Sequence, residues 1–252
     1  DPTNFSYFNQ WILSRLNACI QRSIENTEKY NFMELTNSLY DFFYKDFCGI
    51  FLEVIKPIFG TNVEQTKETQ FVLYTCLETY FRLLHPTMPF ITEELWQRLP
   101  GRDTLPQNKV SIMVNDYPST QSNWTNEDAE KRMDLVMNVV TALRRQKNSY
   151  SLTNQVTPTV FIVSTEEEST KAIQGSIDEI KILSLVGETQ IVTKDQIPNG
   201  CAIDVVTGHV SVYMLLKGLI DPSSEISKIE KKRDSLLKAY ESLKKRRSTP
   251  NY

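Results

Sequence analysis

The sequence has few of the residues from which metal sites and disulfide frameworks are built. Its 252 residues include two histidines and four cysteines, and no two cysteines form a CxxC pair. Because zinc sites take closely spaced Cys and His ligands, we predict no metal site. The absence of a dense cysteine framework favours a reducing compartment. Cys19, Cys48 and Cys76 lie on or beside apolar helical faces, and we interpret them as small core residues.

Glycine and long apolar runs are also scarce. The chain has 8 glycines and no Gly-rich phosphate loop, and no stretch approaches the ~20 apolar residues of a membrane span. The two histidines are far apart and cannot complete a Ser/His/Asp or Cys/His set, while the acidic runs Glu93–Glu94 and Glu166–Glu168 suit helix starts. We therefore expect no catalytic residue, no cofactor and no membrane partner within these residues.

Charge is small in total and uneven along the chain. The net charge is −3, whereas residues 221–252 hold nine Lys or Arg and five acids, which gives +4 and leaves −7 for the rest. A basic tail on an acidic body indicates a local anionic partner.

Apolar residues recur every three or four positions through most of the first 150 residues, which predicts amphipathic helices. The predicted spans are 5–28, 31–59, 62–84, 86–99 and 126–148. Two of the predicted buried faces are Phe32, Leu35, Leu39, Phe43, Phe47, Ile50 and Val54 in the second span, and Met88, Ile91, Leu95 and Leu99 in the fourth. Five helices with short connections predict a bundle.

The stretch HPTMPFITEELWQRLP, residues 85–100, joins the third and fourth predicted helices. Pro86 ends one helix and can occupy the first turn of the next. His85 has no second His, Cys or acid at ligand spacing, so we interpret it as a structural residue rather than a metal ligand or catalytic group. Trp96 is expected to pack against the bundle.

The pattern changes after a polar stretch that contains an extended run at VSIMVNDYP (110–118). Strands are predicted for 157–163, 189–193, 201–206 and 209–215, with a tight hairpin turn at Thr207–Gly208. Residues 166–187 predict two short helices broken near Gly175. Together these segments predict a small α+β unit.

The last predicted helix opens at Asp221–Pro222. Its seam has heptad spacing and consists of Ile226, Ile229, Leu236, Tyr240 and Leu243, with Arg233 at the remaining seam position. A single coiled-coil strand is not stable alone in water, so this helix is expected to need a partner helix.

The stretch LLHPTMPFITEELWQRLP (83–100) resembles the segment of valyl-tRNA synthetases that runs as Leu-His-Pro-x-Met-Pro-Phe before a Thr-Glu-Glu-Leu-Trp helix. The related isoleucyl and leucyl enzymes usually have Ala-Pro in place of His85–Pro86, which favours the valyl member. The resemblance continues in order through WILSRLN, LYDFFYKDFCGIFLEVIKP, SIMVNDYP and VSVYMLLKGLIDPSSEISKIEKK, and covers essentially the whole chain. The family's ATP-site signatures, of the His-x-Gly-His and Lys-Met-Ser-Lys-Ser types, have no counterpart here.

The resemblance implies a C-terminal portion of such an enzyme with a mainly α fold. A five-helix anticodon-binding bundle would occupy 1–151, a small α+β domain 152–217, and the first helix of a coiled-coil tRNA-binding arm 218–252. The implied partner is tRNA(Val), held at the anticodon stem-loop and elbow. ATP and Mg²⁺ would belong to the absent catalytic domain, so the chain alone is expected to be inactive. We expect a monomer in the cytoplasm, with mitochondria as a second location.

RNA contact needs cations for phosphates and exposed aromatic rings or Arg planes for unstacked bases. The candidate anticodon-binding residues are Arg15, Asn17, Arg22, Lys45, Arg82, Arg144 and Arg145. The aromatic candidates are Phe32, Tyr40 and Tyr44, of which the first two are expected to be core residues instead. The candidate arm residues are Lys228, Lys231, Lys232, Lys238, Lys245 and Arg246. A different reading of the whole chain is a helical protein-interaction module that pairs through its C-terminal coiled coil.

Overall fold

The computed structural model describes residues 2–59, 63–104, 106 and 110–247, except for the side chains of Asp103, Pro222, Ser224, Glu225, Lys228 and Arg246. Within these residues the chain is mainly helical and carries one four-stranded sheet. It divides into two compact units. The first contains Asp1–Met137 and Asp178–Leu183, and the second contains Asn138–Ile177 and Ser184–Tyr252.

The first unit is helical, and α1 packs on α2 and α4. Its first long helix starts after Ser6, whose hydroxyl accepts a hydrogen bond from the backbone N–H of Asn9 and so satisfies one free donor of the first turn. The helices are α1 (Tyr7–Glu28), α2 (Phe32–Tyr40), a π-helical segment (Asp41–Phe51), α3 (Leu52–Ile55), α4 (Val63–Leu84), α5 (Pro89–Gln97) and α6 (Glu127–Ser149), whose second half belongs to the second unit.

The helix predicted over residues 31–59 is one helical rod, Phe32–Ile55, with the π-helical segment at its centre. A π-helix bonds i to i+5, so it takes more residues per turn than an α-helix. Its buried residues are Phe42, Phe47 and Phe51. Phe43 and Ile50, predicted for this face on a period of 3.6 residues, are only half-buried, although Phe43 still stacks on the buried Tyr80 with ring centroids 4.5 Å apart.

The wider turn also favours a residue without a side chain. A Cβ added at Gly49 would lie 3.2 Å from the carbonyl oxygen of Tyr44, one π turn earlier. That distance is tighter than ordinary van der Waals contact, so glycine suits this position.

The fourth predicted helix is α5, and it is rotated relative to the prediction. Thr92 and Trp96 are fully buried, whereas Met88, Ile91 and Leu95 are exposed. The expectation that Trp96 packs inside is confirmed, and the expectation that the Met88–Leu95 stripe faces inward is wrong. In the observed orientation, Thr92 and Trp96 each form a hydrogen bond, to His85 and Glu78 respectively. A prediction based on apolar residues alone takes no account of these bonds.

The connector after α5 is not extended throughout. Ile112–Val114 forms a turn of 3₁₀-helix between two extended residues, Ser111 and Asn115. The Ser111 hydroxyl accepts a hydrogen bond from the Met113 N–H, and Ile112 is buried. The predicted run at 110–118 is wrong at its centre, because this local cap and the burial of one side chain outweigh β propensity.

The second unit contains the sheet. Its strands are β1 (Val160–Ser164), β2 (Thr189–Ile191), β3 (Cys201–Val205) and β4 (Val210–Leu215), in the order β2-β1-β4-β3. β1 pairs parallel to β2 and antiparallel to β4, and β3 pairs antiparallel to β4. The helices α7 (Glu167–Gln174) and α8 (Ile177–Ser184) fall between β1 and β2 in sequence, and most of α8 belongs to the first unit. The predicted strands and the helix break near Gly175 are confirmed.

The hairpin between β3 and β4 is wider than predicted. Four residues, 206–209, connect the strands instead of the two of a tight turn. The Thr207 hydroxyl accepts hydrogen bonds from the N–H groups of His209 and Val210, which requires the longer loop.

The final helix is α9 (Pro222–Arg247). Its described seam residues, Ile226, Ile229, Leu236, Tyr240 and Leu243, are all exposed. In the part of the chain that the structure describes, no helix combines the length and the apolar character that crossing a membrane requires.

Candidate nucleic-acid interface

Five large side chains near the start of α2 and along the following rod are exposed to solvent. We call them the aromatic surface: Tyr30, Phe32, Met33, Tyr40 and Tyr44, each between 56% and 80% exposed. Four of the five are aromatic, the side-chain type on which unstacked RNA bases stack.

The aromatic surface is exposed because other residues of the helix form its buried side. Leu35 and Leu39 are buried, so residues on the other side of the helix, including Tyr40, point outward. Tyr40 stacks on Tyr44, with ring centroids 5.1 Å apart and planes inclined by 18°. The expectation that Phe32 and Tyr40 are core residues is wrong, because the inward stripe of α2 is completed by the two leucines.

The corner between α1 and α2 holds Tyr30 in a defined position. Its φ of 55° lies in the left-handed region that residues other than glycine rarely adopt. The Tyr30 N–H donates to Thr27 O at 3.1 Å, and the Asn31 N–H donates to Asn26 O at 2.8 Å. The Tyr30 ring meets Phe32 edge-on at 6.5 Å. The sequence analysis missed Tyr30 and Met33, although three large side chains around the Asn31 helix cap were a usable signal.

Arg15, predicted to contact RNA, is engaged inside the first unit. Its Nε donates to Asp46 Oδ2 at 2.8 Å, and its Nη1 lies 3.8 Å from Glu130 Oε2. Burial alone would lower the pKa of Arg15, but the Asp46 carboxylate outweighs burial and raises it. The ion pairs of Arg15 therefore connect α1 with the π-helical segment and with α6.

Arg82 is also engaged. Its Nε and Nη2 donate to Glu78 Oε2 at 3.1 and 2.6 Å, and its Nη1 donates to the Asp116 carbonyl at 3.0 Å. The side chain fastens the connector before α6 to the surface of α4.

The buried side chain of Asn17 connects α1 to the segment before α6, and we call this set of hydrogen bonds the Asn17 clasp. Its Nδ2 donates to Gln121 O and Thr125 Oγ1, both at 3.0 Å, and its Oδ1 accepts from the Gln121 N–H at 2.8 Å. Both ends of the amide are used, and the residue is 7% exposed. The Asn17 side chain is therefore occupied within the first unit.

Arg22 and Lys45 are the predicted cations that the first unit leaves exposed. Lys45 Nζ lies 2.8 Å from Asp41 Oδ1, one turn earlier, and this hydrogen bond raises the pKa of Lys45. Exposed pairs of this kind contribute little stability, so a phosphate can compete for the lysine. Lys45 directly follows Tyr44 of the aromatic surface.

Arg144 and Arg145 lie in the second unit, on the last turns of α6. With Thr141, Asn148 and Ser149 they line an open hollow. Arg145 is bidentate on Asp204 of β3, with N–O distances of 2.6 to 2.9 Å. That bond ties α6 to the sheet, so Arg145 has a structural role of its own.

The arm candidates share one helix. Lys231, Lys232, Lys238 and Lys245 are exposed on α9, while the side chains of Lys228 and Arg246 lie outside the described residues. Cations and an apolar seam are thus exposed together on α9.

A known protein family matches the part of the chain that contains these helices and exposed rings. Residues 9–162 match the family described as the anticodon-binding domain of tRNA ligase. The chain belongs to this family.

Relatives of this anticodon-binding chain are valine–tRNA ligases. They include the mitochondrial ligase 1 of Arabidopsis thaliana, 34% identical over 100% of this chain and 23% of that protein. The Homo sapiens ligase is 32% identical over 98% of this chain and 20% of that protein. The Carboxydothermus hydrogenoformans ligase is 32% identical over 97% of this chain and 27% of that protein. The chain therefore spans between a fifth and just over a quarter of these relatives.

His85, at the joint before α5 of this anticodon-binding domain, is buried. Its Nδ1 lies 2.7 Å from Thr92 Oγ1, and its Nε2 faces the Met113 thioether. These neighbours connect α4, α5 and the 3₁₀ turn. Among the described residues, no group of three or more His, Cys, Asp or Glu is placed to hold a metal ion.

Proposed function

We propose that this chain is the tRNA-binding C-terminal part of a valine–tRNA ligase. It would recognise the anticodon stem-loop and elbow of tRNA(Val), so that a catalytic domain elsewhere in the polypeptide can charge that tRNA with valine. The family match over 9–162 and the valine–tRNA ligase relatives over nearly the whole chain support this. Because the chain spans 20% to 27% of these relatives, charging belongs to the larger protein, and ATP and Mg²⁺ to its catalytic domain.

The aromatic surface is the observation that carries the proposal. Proteins read single-stranded RNA loops by splaying out the bases and stacking them on aromatic rings. Tyr40 and Tyr44 already form a two-ring stack that is open to solvent. Lys45 beside it, and Arg22 on α1, are the exposed predicted cations of the same unit, and their charges suit the flanking phosphates. Arg15 and Arg82 serve the fold in this proposal.

The arm completes the proposal. The exposed lysines of α9 would hold phosphates at the tRNA elbow, while its seam pairs with a partner helix in a coiled coil. The exposure of every described seam residue supports the need for such a helix. The same seam favours a second candidate function, a module that recruits another protein through this coiled coil.

The finer architecture is part of the proposal. It comprises a five-helix anticodon-binding bundle over 1–151, an α+β domain over 152–217 and the arm over 218–252, acting as a monomer. We propose the cytoplasm as its location, with mitochondria as a second one. Relatives that are mitochondrial ligases in Arabidopsis thaliana and Saccharomyces cerevisiae support the second location.

The test is tRNA binding by the natural synthetase that contains these residues. Affinities are measured for intact tRNA(Val), for the same tRNA without its anticodon stem-loop, and for a non-cognate tRNA. We expect the intact cognate tRNA to bind most tightly and the truncated one to lose at least tenfold. Equal binding of all three would contradict anticodon recognition. Association with a protein partner that does not weaken with salt would favour the second candidate, because RNA contacts weaken steeply.

A further inference from the structure

Helix α5 carries an apolar stripe that the described residues of its own unit leave exposed. Met88, Ile91 and Leu95 are three and four residues apart, hence on one side of the helix, and they are 37% to 50% exposed. Phe90, at the start of the helix, is 91% exposed. We call these four residues the α5 patch.

The outward orientation of the α5 patch is fixed by specific contacts. Thr92 Oγ1 is 2.7 Å from the His85 ring, and Trp96 Nε1 donates to Glu78 at 3.3 Å. Glu93 accepts hydrogen bonds from the Ser111 hydroxyl and the Ile112 N–H. A rotation that buried the patch would break all of these contacts and bring Trp96 to the surface.

The neighbouring connector adds to the apolar area. Residues 110–114 run alongside α5, since Gln97 donates to the Val110 carbonyl and Ser111 donates to Glu93. Val110, Met113 and Val114 are 51% to 70% exposed. Clusters of exposed large apolar side chains on a folded protein commonly mark a surface that meets a partner.

The charges around the patch do not suit RNA. Glu93 and Glu94 lie on α5, and the adjacent Arg98 is paired with Glu94. With Arg102, whose guanidinium lies over Trp96, these charges sum to zero, so α5 offers no excess of cations to hold phosphates. The occupant must offer an apolar surface, as a folded protein domain does.

We propose that the α5 patch docks on an apolar surface of another domain of the same polypeptide. The relatives supply the argument for this occupant: each aligns with nearly all of this chain, yet 73% or more of its own length lies outside the match. A domain in covalent continuity has a high effective concentration, so a patch of modest area is sufficient. This proposal rests on family membership and is independent of the RNA contacts proposed above.

The test is hydroxyl-radical footprinting of the natural full-length synthetase without tRNA. The chain offers two matched pairs: Met88 with Met33, which are 50% and 68% exposed, and Phe90 with Phe32, which are 91% and 58% exposed. An uncovered patch would oxidise at nearly the control rate for Met88 and faster than the control for Phe90. We expect both patch residues to oxidise at least fivefold more slowly than their controls.

Patch rates equal to or above the control rates would overturn the proposal. Light scattering on the same sample identifies the occupant. Protection in a monomer supports a domain of the same chain, whereas protection that appears only with a doubled mass would overturn it in favour of a second copy. Phe90→Ser should restore rapid oxidation of Met88 in the monomer, and persistent protection of Met88 would count against docking through the patch. Because no tRNA is present, a failure of tRNA recognition leaves these outcomes unchanged.

Discussion

The guanidinium of Arg102 lies 3.9 Å above the ring centroid of Trp96, the largest fully buried side chain of the chain's described residues. The Trp96 indole also donates to Glu78, and Glu78 in turn holds Arg82. The tryptophan thus joins α5 to α4 through packing, a cation–π contact and a shared carboxylate.

Trp96→Ala should destabilise the chain by about 3 to 5 kcal/mol, because it leaves a large cavity and an unpaired Glu78 oxygen. Urea unfolding monitored by circular dichroism measures the loss. Glu94→Ala, at an exposed residue of the same helix, is the matched control and should change stability by less than about 0.5 kcal/mol. Equal effects of the two substitutions would mean that α5 is not oriented as described.

The Tyr40–Tyr44 stack should contribute to RNA affinity through its rings. Tyr40→Ala with Tyr44→Ala should weaken tRNA binding by about 5- to 150-fold, equivalent to about 1 to 3 kcal/mol for one stacked base. Replacing both by Phe keeps the rings and should keep most of the affinity. Fluorescence anisotropy with labelled tRNA measures the change. Phe71→Ala, at a residue 54% exposed on α4, is the control; a loss as large as that of the double variant would refute the assignment.

The lysines of α9 should determine salt dependence. Neutralising Lys231, Lys232 and Lys245 to Gln should flatten the slope of log affinity against log salt, by just under one for each phosphate that the arm no longer neutralises. The preference among tRNAs should change little, because phosphate contacts carry no sequence information. The measurement is a salt series of tRNA binding. Lys171, Lys194 and Lys217, all exposed, form a control triple, and identical slopes for the two triples would show that the arm lysines only interact with solvent.

Glu93 should make the α5 joint sensitive to acid. Burial raises the pKa of Glu93, but hydrogen bonds from Gln97, Ser111 and the Ile112 N–H outweigh burial and lower it below its ordinary value of 4.5. A lowered carboxyl pKa stabilises the fold above that ordinary value, and the stabilisation is lost as the pH falls through the folded value. Glu93→Gln should therefore cost about 1 to 2 kcal/mol at pH 7, and this difference should shrink below pH 4.5.

Unfolding curves of the wild type and the Glu93 variant between pH 3 and pH 7 measure this difference. Glu94→Gln is the control, since Glu94 makes only an exposed pair with Arg98 and should show a small effect at every pH. A Glu93 effect that is constant down to pH 3 would mean that the carboxylate charge has no part in the joint.

The four thiols should differ in reactivity. Burial raises the pKa of Cys19 to about 12 and raises that of Cys76 as well, so neither forms the reactive thiolate near neutral pH. Cys48 and Cys201 are half-buried. In the native protein an aromatic disulfide reagent should modify these two first, and all four only after unfolding. Mass spectrometry of the modified peptides identifies the sites, and early labelling of Cys76 would contradict the described core.

The sequence was sufficient to predict an element where the burial of apolar residues alone determines it. Apolar periodicity placed α1, α4, α6 and the strands, and a residue motif indicated the family. It was not sufficient where polar partners or a change of helical period decide the orientation. Thr92 and Trp96 face inward because His85 and Glu78 meet them, and a hydropathy pattern contains no information on such pairs. In the π-helical segment Phe42 is fully buried beside the half-buried Phe43, which no rule based on 3.6 residues per turn predicts.

The candidate site was predicted in part for the same reason. Composition identified cations and aromatic residues, but not their partners. In the sequence, Arg15 and Asn17 are equally plausible RNA contacts. Only in the folded chain does Arg15 lie beside Asp46, and Asn17 beside Gln121. Tyr40 was expected in the core, whereas Leu35 and Leu39 complete the inward stripe of α2.

The Asn17 clasp also has a consequence for the order in which the protein is made. Its partner Gln121 is 104 positions later in the sequence, so at ribosomal rates of roughly 5 to 20 residues per second the two meet about 5 to 20 s after Asn17 is synthesised. Ser14, which accepts from the Asn126 N–H, waits slightly longer for a partner 112 positions away. During that interval α1 can pack only against the helices already translated. The nascent first unit therefore acquires its last polar contacts on one of its earliest helices.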